Sequence, residues 1–305
     1  MSTQVRNGKA FEYAVASSLQ EIIGCPIKDS DAAEKARNCY LEISKSLRLR
    51  FDTAAFLSCS HVISKETQNI SRIQPTEIQI SGDASGKNGD VRDVILVGAN
   101  GELGFSCKTN HDAFKHPRLS GSVDFVKRWG LDPAGSSDEY WATIKPIFEE
   151  LKTINQSSAG TALWSFEPDV PKRFYWPVLD AFETEILRLT DNSNDSAPVV
   201  SRNLISYIIG NRDFYKIICR PKHVEILGFN LHNTLVVHHT KSPDHVVGID
   251  RLNGGQYSKT IRFNRGFTFN LRIHTASSRI EPSLKFDIRA VSLPPTEIYT
   301  HHQDF

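Results

Sequence analysis

Gly89-Asp90-Val91-Arg92-Asp93-Val94-Ile95-Leu96-Val97, followed four residues later by Glu102-Leu103-Gly104-Phe105-Ser106-Cys107-Lys108, is the stretch on which the fold of this 305-residue chain turns. An acid heads an apolar strand, Gly98-Ala99-Asn100-Gly101 supplies a turn, and a second strand ends on a lysine, which predicts a β-hairpin. A cation at the buried end of an apolar strand is costly to desolvate unless it is paired. Asp93 and Lys108, fifteen positions apart, therefore predict a site that binds a metal and activates water. Side chains two apart share a strand face, so Glu102, Gly104, Ser106 and Lys108 point toward the site, and Leu103, Phe105 and Cys107 toward a core. Asp93 is a better ligand than Asp90, because the apolar run begins directly after it. Mg²⁺ takes hard oxygens and keeps several waters, so one or two carboxylates suffice. On the pattern alone, a surface hairpin with charged ends accounts for the segment equally well.

The run after the lysine, Thr109-Asn110-His111-Asp112-Ala113-Phe114-Lys115-His116-Pro117-Arg118, is dense in hydrogen-bond donors. With Asn7-Gly8-Lys9-Ala10-Phe11-Glu12, Gly89–Asp93 and Ser106–His111, it resembles the HaeIII-type family of type II restriction endonucleases, within the PD-(D/E)xK nucleases. The resemblance runs from about residue 7 to the C-terminus and is most specific between Asp93 and Ser120. It implies an α/β restriction-endonuclease-like core, with a central mixed sheet flanked by helices. It also implies a Mg²⁺-dependent cut within the palindrome GGCC and a cognate DNA methyltransferase acting on the same site. Asp93, the main-chain carbonyl near Cys107 and Glu12 are the metal ligands expected on that basis, with Lys108 and Ser106 completing the catalytic set. Ser106 stands where the superfamily usually has its second acid, so that acid must come from elsewhere. Glu12 is the candidate, because many superfamily members carry a glutamate on their first helix, and Glu102 is the fallback. Periodicity alone reads Glu12 as a solvated first-turn glutamate. Asn110, His111, Lys115 and Arg118 are expected to contact DNA.

A hydrophobic content of 39% and a charged content of 23% fit a globular protein with an ample core. The formal net charge is only +1, so affinity for a polyanion must come from local clustering. Five scattered cysteines without Cys-x-x-Cys spacing argue against structural zinc and for a reducing cytoplasm. The sequence contains neither a signal-like apolar segment nor a membrane-length one, and no membrane partner is expected.

Apolar spacing predicts helices over 8–23 and 31–50, a strand near 76–80 and a mainly helical stretch over 120–190, with Ser137 before one helix start. The Gly/Ser/Asn-rich segment 82–89 reads as a loop able to approach DNA, or as a plain surface connection. The polar run Asp191–Ser196 marks an expected boundary between a catalytic part, 1–190, and a β-rich C-terminal part, 191–305, with one continuous domain as the alternative. Strands are predicted at 214–219, 224–229, 234–238, 260–263, 267–273 and 285–291.

Between Arg251 and Arg289, eight basic residues face two acids, a net +6 over thirty-nine residues. Lys259, Arg262, Arg265, Arg272, Arg279 and Lys285 are the DNA contacts expected there, since arginine reads guanine with two parallel hydrogen bonds. The plain alternative is a solvated basic sheet face. The pairs His238-His239 and His301-His302 read as structural, because strand neighbours point to opposite faces. A palindromic target on double-stranded DNA is most simply read by a two-fold homodimer, with a monomer that nicks each strand in turn as the alternative. A repair or mobile-element nuclease on the same core, or a non-catalytic DNA-binding protein on a decayed one, are the alternatives the sequence leaves open.

Overall fold

The computed structural model describes residues 2–82, 90–110, 113–251, 257–275 and 278–305. Four helices come first: α1 (Thr3–Ile23), α2 (Asp31–Glu42), α3 (Lys45–Lys65) and α4 (Thr67–Ile73). Strands β1 (Pro75–Ile80), β2 (Val94–Gly98), β3 (Gly101–Thr109), β4 (Ala113–Lys115) and β5 (Arg118–Leu119) follow. Next are α5 (Phe125–Arg128), α6 (Asp138–Ser157), α7 (Trp176–Leu189) and α8 (Ala197–Ile209). The chain then runs through β6 (Phe214–Cys219), β7 (His223–Phe229), β8 (Val246–Arg251), β9 (Ser258–Phe263), β10 (Thr268–His274), β11 (Leu284–Ser292) and β12 (Tyr299–Asp304).

These elements form two compact units, each gathered from separate stretches of chain. The first comprises Met1–Asp112, Gly210–Lys241 and Pro295–Phe305, and the second Ala113–Ile209 and Ser242–Pro294. They do not follow the expected division after residue 190. The run Asp191–Ser196 only links α7 to α8, whereas β6 and β7 return to pair beside β3.

The first unit holds a six-stranded sheet in the order β1-β2-β3-β6-β7-β12, parallel only between β3 and β6. The mixed sheet flanked by helices is therefore present. Phe11, Val15 and Leu19 of α1 recur at helical spacing and are fully buried, as are Phe51, Ala55, Cys59 and Val62 of α3. They pack with Leu103, Phe105, Cys107, Tyr215 and Ile217, the alternate residues of β3 and β6. Each such large apolar side chain contributes about 1.5–3 kcal/mol. Ser2 caps α1 by accepting from the Val5 N–H, and Gly24, at φ 83°, ends it where a side chain would be strained. The predicted helix 31–50 is two helices, because the Ser44 hydroxyl accepts from the Leu47 N–H and starts α3 afresh.

The predicted strand 234–238 is a loop. Leu235 and Val237 are buried and Val236 is exposed, so the alternation is real. Side chains take its backbone groups instead of a ladder. Asn230 Nδ2 donates to the Leu235 and Val237 carbonyls, the Thr234 N–H donates to Asp213, and the Val236 N–H donates to Glu66. Strands β8 and β12 were not foreseen. In β12, His301 stacks on His61 at 3.7 Å, and His302 sits opposite Glu225 of β7, the two-faced arrangement expected of strand neighbours.

The second unit holds an antiparallel sheet in the order β4-β11-β10-β9-β8, with β5 also on β11. Phe269, Leu271 and Ile273 of β10 and Phe286 and Ile288 of β11 are buried on one face, where Phe286 meets Phe182 of α7 at 5.2 Å.

Candidate active site

The hairpin register sets the site. Val94 pairs with Phe105, and the Asp93 N–H donates to the Phe105 carbonyl at 2.7 Å, so Asp93, immediately before β2, stands beside Ser106. Three donors converge on Asp93 Oδ2: the Ser106 hydroxyl at 3.2 Å, the Cys107 N–H at 2.7 Å and Lys108 Nζ at 3.1 Å. Among the described residues, no hydrogen bond uses Oδ1. In an extended strand the N–H and C=O of one residue leave on the same edge, so the Cys107 carbonyl also leaves toward Asp93.

Burial alone would lower the pKa of Lys108. The Asp93 carboxylate and its hydrogen bond outweigh this and hold it above the usual lysine value. Burial, then the charges of Asp93 and Glu12, push the Cys107 thiol well up, so it stays protonated and is no nucleophile.

Glu12 lies on the α1 turn packed against β3 and is 6% exposed. Its carboxyl is pushed up to about 7, first by burial and next by Asp93, while Lys9, 2.9 Å away, and Lys108 pull it down. The arrangement is two carboxylates and two ammonium groups within electrostatic reach of one another. Glu102 is not part of it. Its carboxylate meets Arg92 at 2.8 Å, and Arg92 also grips Asp90 at 2.7 Å. Gly104 permits this, because a β-carbon there would overlap the Arg92 side chain. Both Glu102 and Asp90 are thus spent on one guanidinium, which corrects the expectation that Glu102 is a spare ligand.

The expected DNA contacts divide. Lys115 is buried, with Nζ 3.0 Å from the Tyr207 carbonyl and 3.7 Å from the centre of its ring. Lys259 is 2% exposed and sits between Asp180, at 2.6 Å, and Glu183 of α7. Both ammonium groups serve the interior of the second unit, which corrects their assignment to DNA. Arg118 pairs with Glu281 and Ser283, Arg262 with Asp250, and Arg272 with Asp287. Burial, then Arg118, lowers the pKa of Lys285. Arg265, at φ 61°, and Arg279 are exposed. Asn110, at φ 52°, ends β3 with its N–H on the Cys219 carbonyl at 3.0 Å and is exposed. His111 and residues 83–89 of the glycine-rich loop lie outside the described residues.

The HaeIII restriction endonuclease family model matches residues 8–294. The chain belongs to that family. It is 30% identical over 311 residues to the type II restriction enzyme HaeIII of Haemophilus aegyptius, covering 96% of this chain and 95% of that one. No solved structure matches it. Membership in the HaeIII family makes the chain a site-specific deoxyribonuclease of the type II restriction class, and so a DNA-binding protein. No helix among the described residues is long and apolar enough to cross a membrane.

For this HaeIII-family member, three cations near the site escaped the sequence reading. Lys9 was signalled only by its i, i+3 spacing to Glu12. Arg92 stands directly before Asp93 in the sequence, where nothing in the motif assigns it a role. Lys216, 2% exposed and in register with Ser106, was hidden in a segment that reads as an apolar strand.

Proposed function

We propose that this chain cuts double-stranded DNA at a short G/C palindrome, GGCC, in a Mg²⁺-dependent reaction. The observation that carries the reading is the convergence of Lys108, Ser106 and the Cys107 N–H on one oxygen of Asp93, with the buried Glu12 close enough to feel its charge. The donors suit the ion: Asp93 through Oδ1, the Cys107 carbonyl and Glu12 would hold it with hard oxygens alone. Two carboxylates of which one resists ionisation are what a divalent cation relieves. When bound, the ion would supply Lewis-acid chemistry at the scissile phosphate and a lowered pKa for a water.

The remaining roles belong to the chain. Lys108, protonated throughout the working range, donates to the attacking water and offsets the charge that builds on the phosphoryl oxygens. Ser106 stands in for the missing acid by holding the Asp93 carboxylate in place, not by binding the ion. Cys107 fixes Asp93 through its N–H. In-line attack breaks the bond to the 3′ oxygen and leaves a 3′-hydroxyl and a 5′-phosphate. A palindrome is cut on both strands most simply by a two-fold homodimer, and the host genome is protected by a methyltransferase acting on the same sequence.

Digestion of a defined plasmid with Mg²⁺, followed by sequencing of the ends, should give discrete fragments ending within GGCC. Lys108→Ala should cut at least 10²–10³-fold more slowly while binding the site as wild type does. A smear of products, or wild-type cleavage by Lys108→Ala, would contradict the proposal.

A further inference from the structure

On the face of the second unit's sheet opposite Phe269, Leu271, Phe286 and Ile288, side chains alternate in the other phase: Asn270 and Arg272 from β10, Asp287 and Arg289 from β11, Thr260 and Arg262 from β9. Asp287 is the hub of this face and is 2% exposed. Its Oδ2 takes Arg272 Nη2 at 3.0 Å, Arg289 Nη2 at 2.7 Å and Arg289 Nε at 2.8 Å, and its Oδ1 lies 3.4 Å from His116 Nδ1. Both arginines remain partly exposed, at 31% and 44%. Bonding Arg289 through Nε and Nη2 occupies one side of the guanidinium and leaves hydrogens on the end that carries Nη1 and Nη2.

Beside this hub, Asn270 and Thr260 are cross-strand partners. Asn270 Nδ2 and Thr260 Oγ1 are buried and have no hydrogen-bond partner among the described residues.

We propose that this face reads guanine edges of the DNA target, with Arg272 and Arg289 as the base-contacting side chains and Asp287 as the residue that aims both. The inference rests on the proposed cleavage of a G/C palindrome and adds where that sequence is read. A free arginine spreads over many rotamers and binds phosphate on any sequence. One tied to a buried carboxylate presents a fixed fork, which matches guanine O6 and N7 and penalises other bases. Arg289 and Asn270 were not singled out from the sequence, and Lys259, which was, points to the opposite face.

The test is competition binding with Ca²⁺ in place of Mg²⁺, using one duplex that carries the sequence found at the wild-type cut ends and one scrambled duplex. Arg289→Ala and Arg272→Ala should each lower the ratio of specific to scrambled affinity about ten- to hundredfold, with a far smaller change on the scrambled duplex. Asp287→Asn keeps both arginines and removes a negative charge. It should lower the same ratio while leaving scrambled binding unchanged or tighter, an outcome that loss of charge cannot mimic. Should Arg289→Ala not fold, Arg289→Lys keeps the charge without the fork and should show the same loss of ratio. Variants that weaken both duplexes equally, or leave the ratio at the wild-type value, overturn this inference while the cleavage proposal stands. A wild-type protein that leaves plasmid uncut overturns the cleavage proposal, and this one with it.

Discussion

Replacing Glu12 by glutamine should stabilise the metal-free protein at pH 8, and the amount follows from the site. The Glu12 carboxyl is pushed from 4.5 up to about 7 by burial and by Asp93. That shift corresponds to about 3 kcal/mol, and with 6% exposure little of it is lost to solvent screening. Between those two values the folded chain holds a proton that the unfolded chain has released. Stability therefore falls as pH rises through this window and levels off above about 7. Glutamine keeps the shape and the hydrogen bond to Lys9 without an ionisable proton. The unfolding free energy of Glu12→Gln minus that of wild type should thus be near zero at pH 4.5 and grow to about 3 kcal/mol by pH 8. Taking the difference cancels the titrating groups that lie beyond the reach of Glu12. Urea denaturation at several pH values, with and without Mg²⁺, measures it. Added Mg²⁺ should stabilise wild type and close part of the gap, since a cation that binds only the folded state adds to its stability. A difference that stays flat from pH 5 to pH 8 would refute the placement of an ionisable Glu12 beside Asp93.

Lys259→Ala should destabilise the second unit by about 3 kcal/mol, because it leaves Glu183 without its cation and Asp180 with Arg251 alone. The folded protein should keep its DNA affinity, so thermal unfolding and duplex titration separate the two roles. His61 has its pKa lowered to about 4, first by burial and then by His301 and Lys65, so its stabilising share is present above about pH 6.5 and lost as pH falls through 4. His61→Gln should flatten acid unfolding between those values, read by denaturation at pH 4, 5 and 7.

The elements most legible in the sequence are those whose burial pattern and hydrogen bonding agree. The β2–β3 hairpin and α1 each have an apolar period matched by a local stop, Gly98–Gly101 for the hairpin and Gly24 for α1. The segment 234–238 shows where the inference fails. Its alternation reports which side chains are buried, not what its backbone bonds to, and Asn230, Asp213 and Glu66 take the place of a neighbouring strand. β12 failed in the opposite sense. Tyr-Thr-His-His-Gln-Asp has no apolar alternation, and it is a strand because β7 offers it an open edge.

In the candidate site, local spacing carried the hairpin pair and nothing beyond it. Asp93 and Lys108 flank a two-residue turn, so their meeting follows from strand length alone. Glu12 comes within electrostatic reach of Asp93 through the packing of α1 on β3, a contact that no period in either segment encodes, and only likeness to a family pointed there. The basic cluster fails for the same reason in reverse. Net charge over 251–289 counts Lys259 and Arg289 alike, yet alternation along β9 and β11 sends one to the helices and the other to Asp287. In a sheet the face on which a charge stands decides its use. Counting charge by strand phase and not by window would have set Arg272, Asp287 and Arg289 together and left Lys259 out.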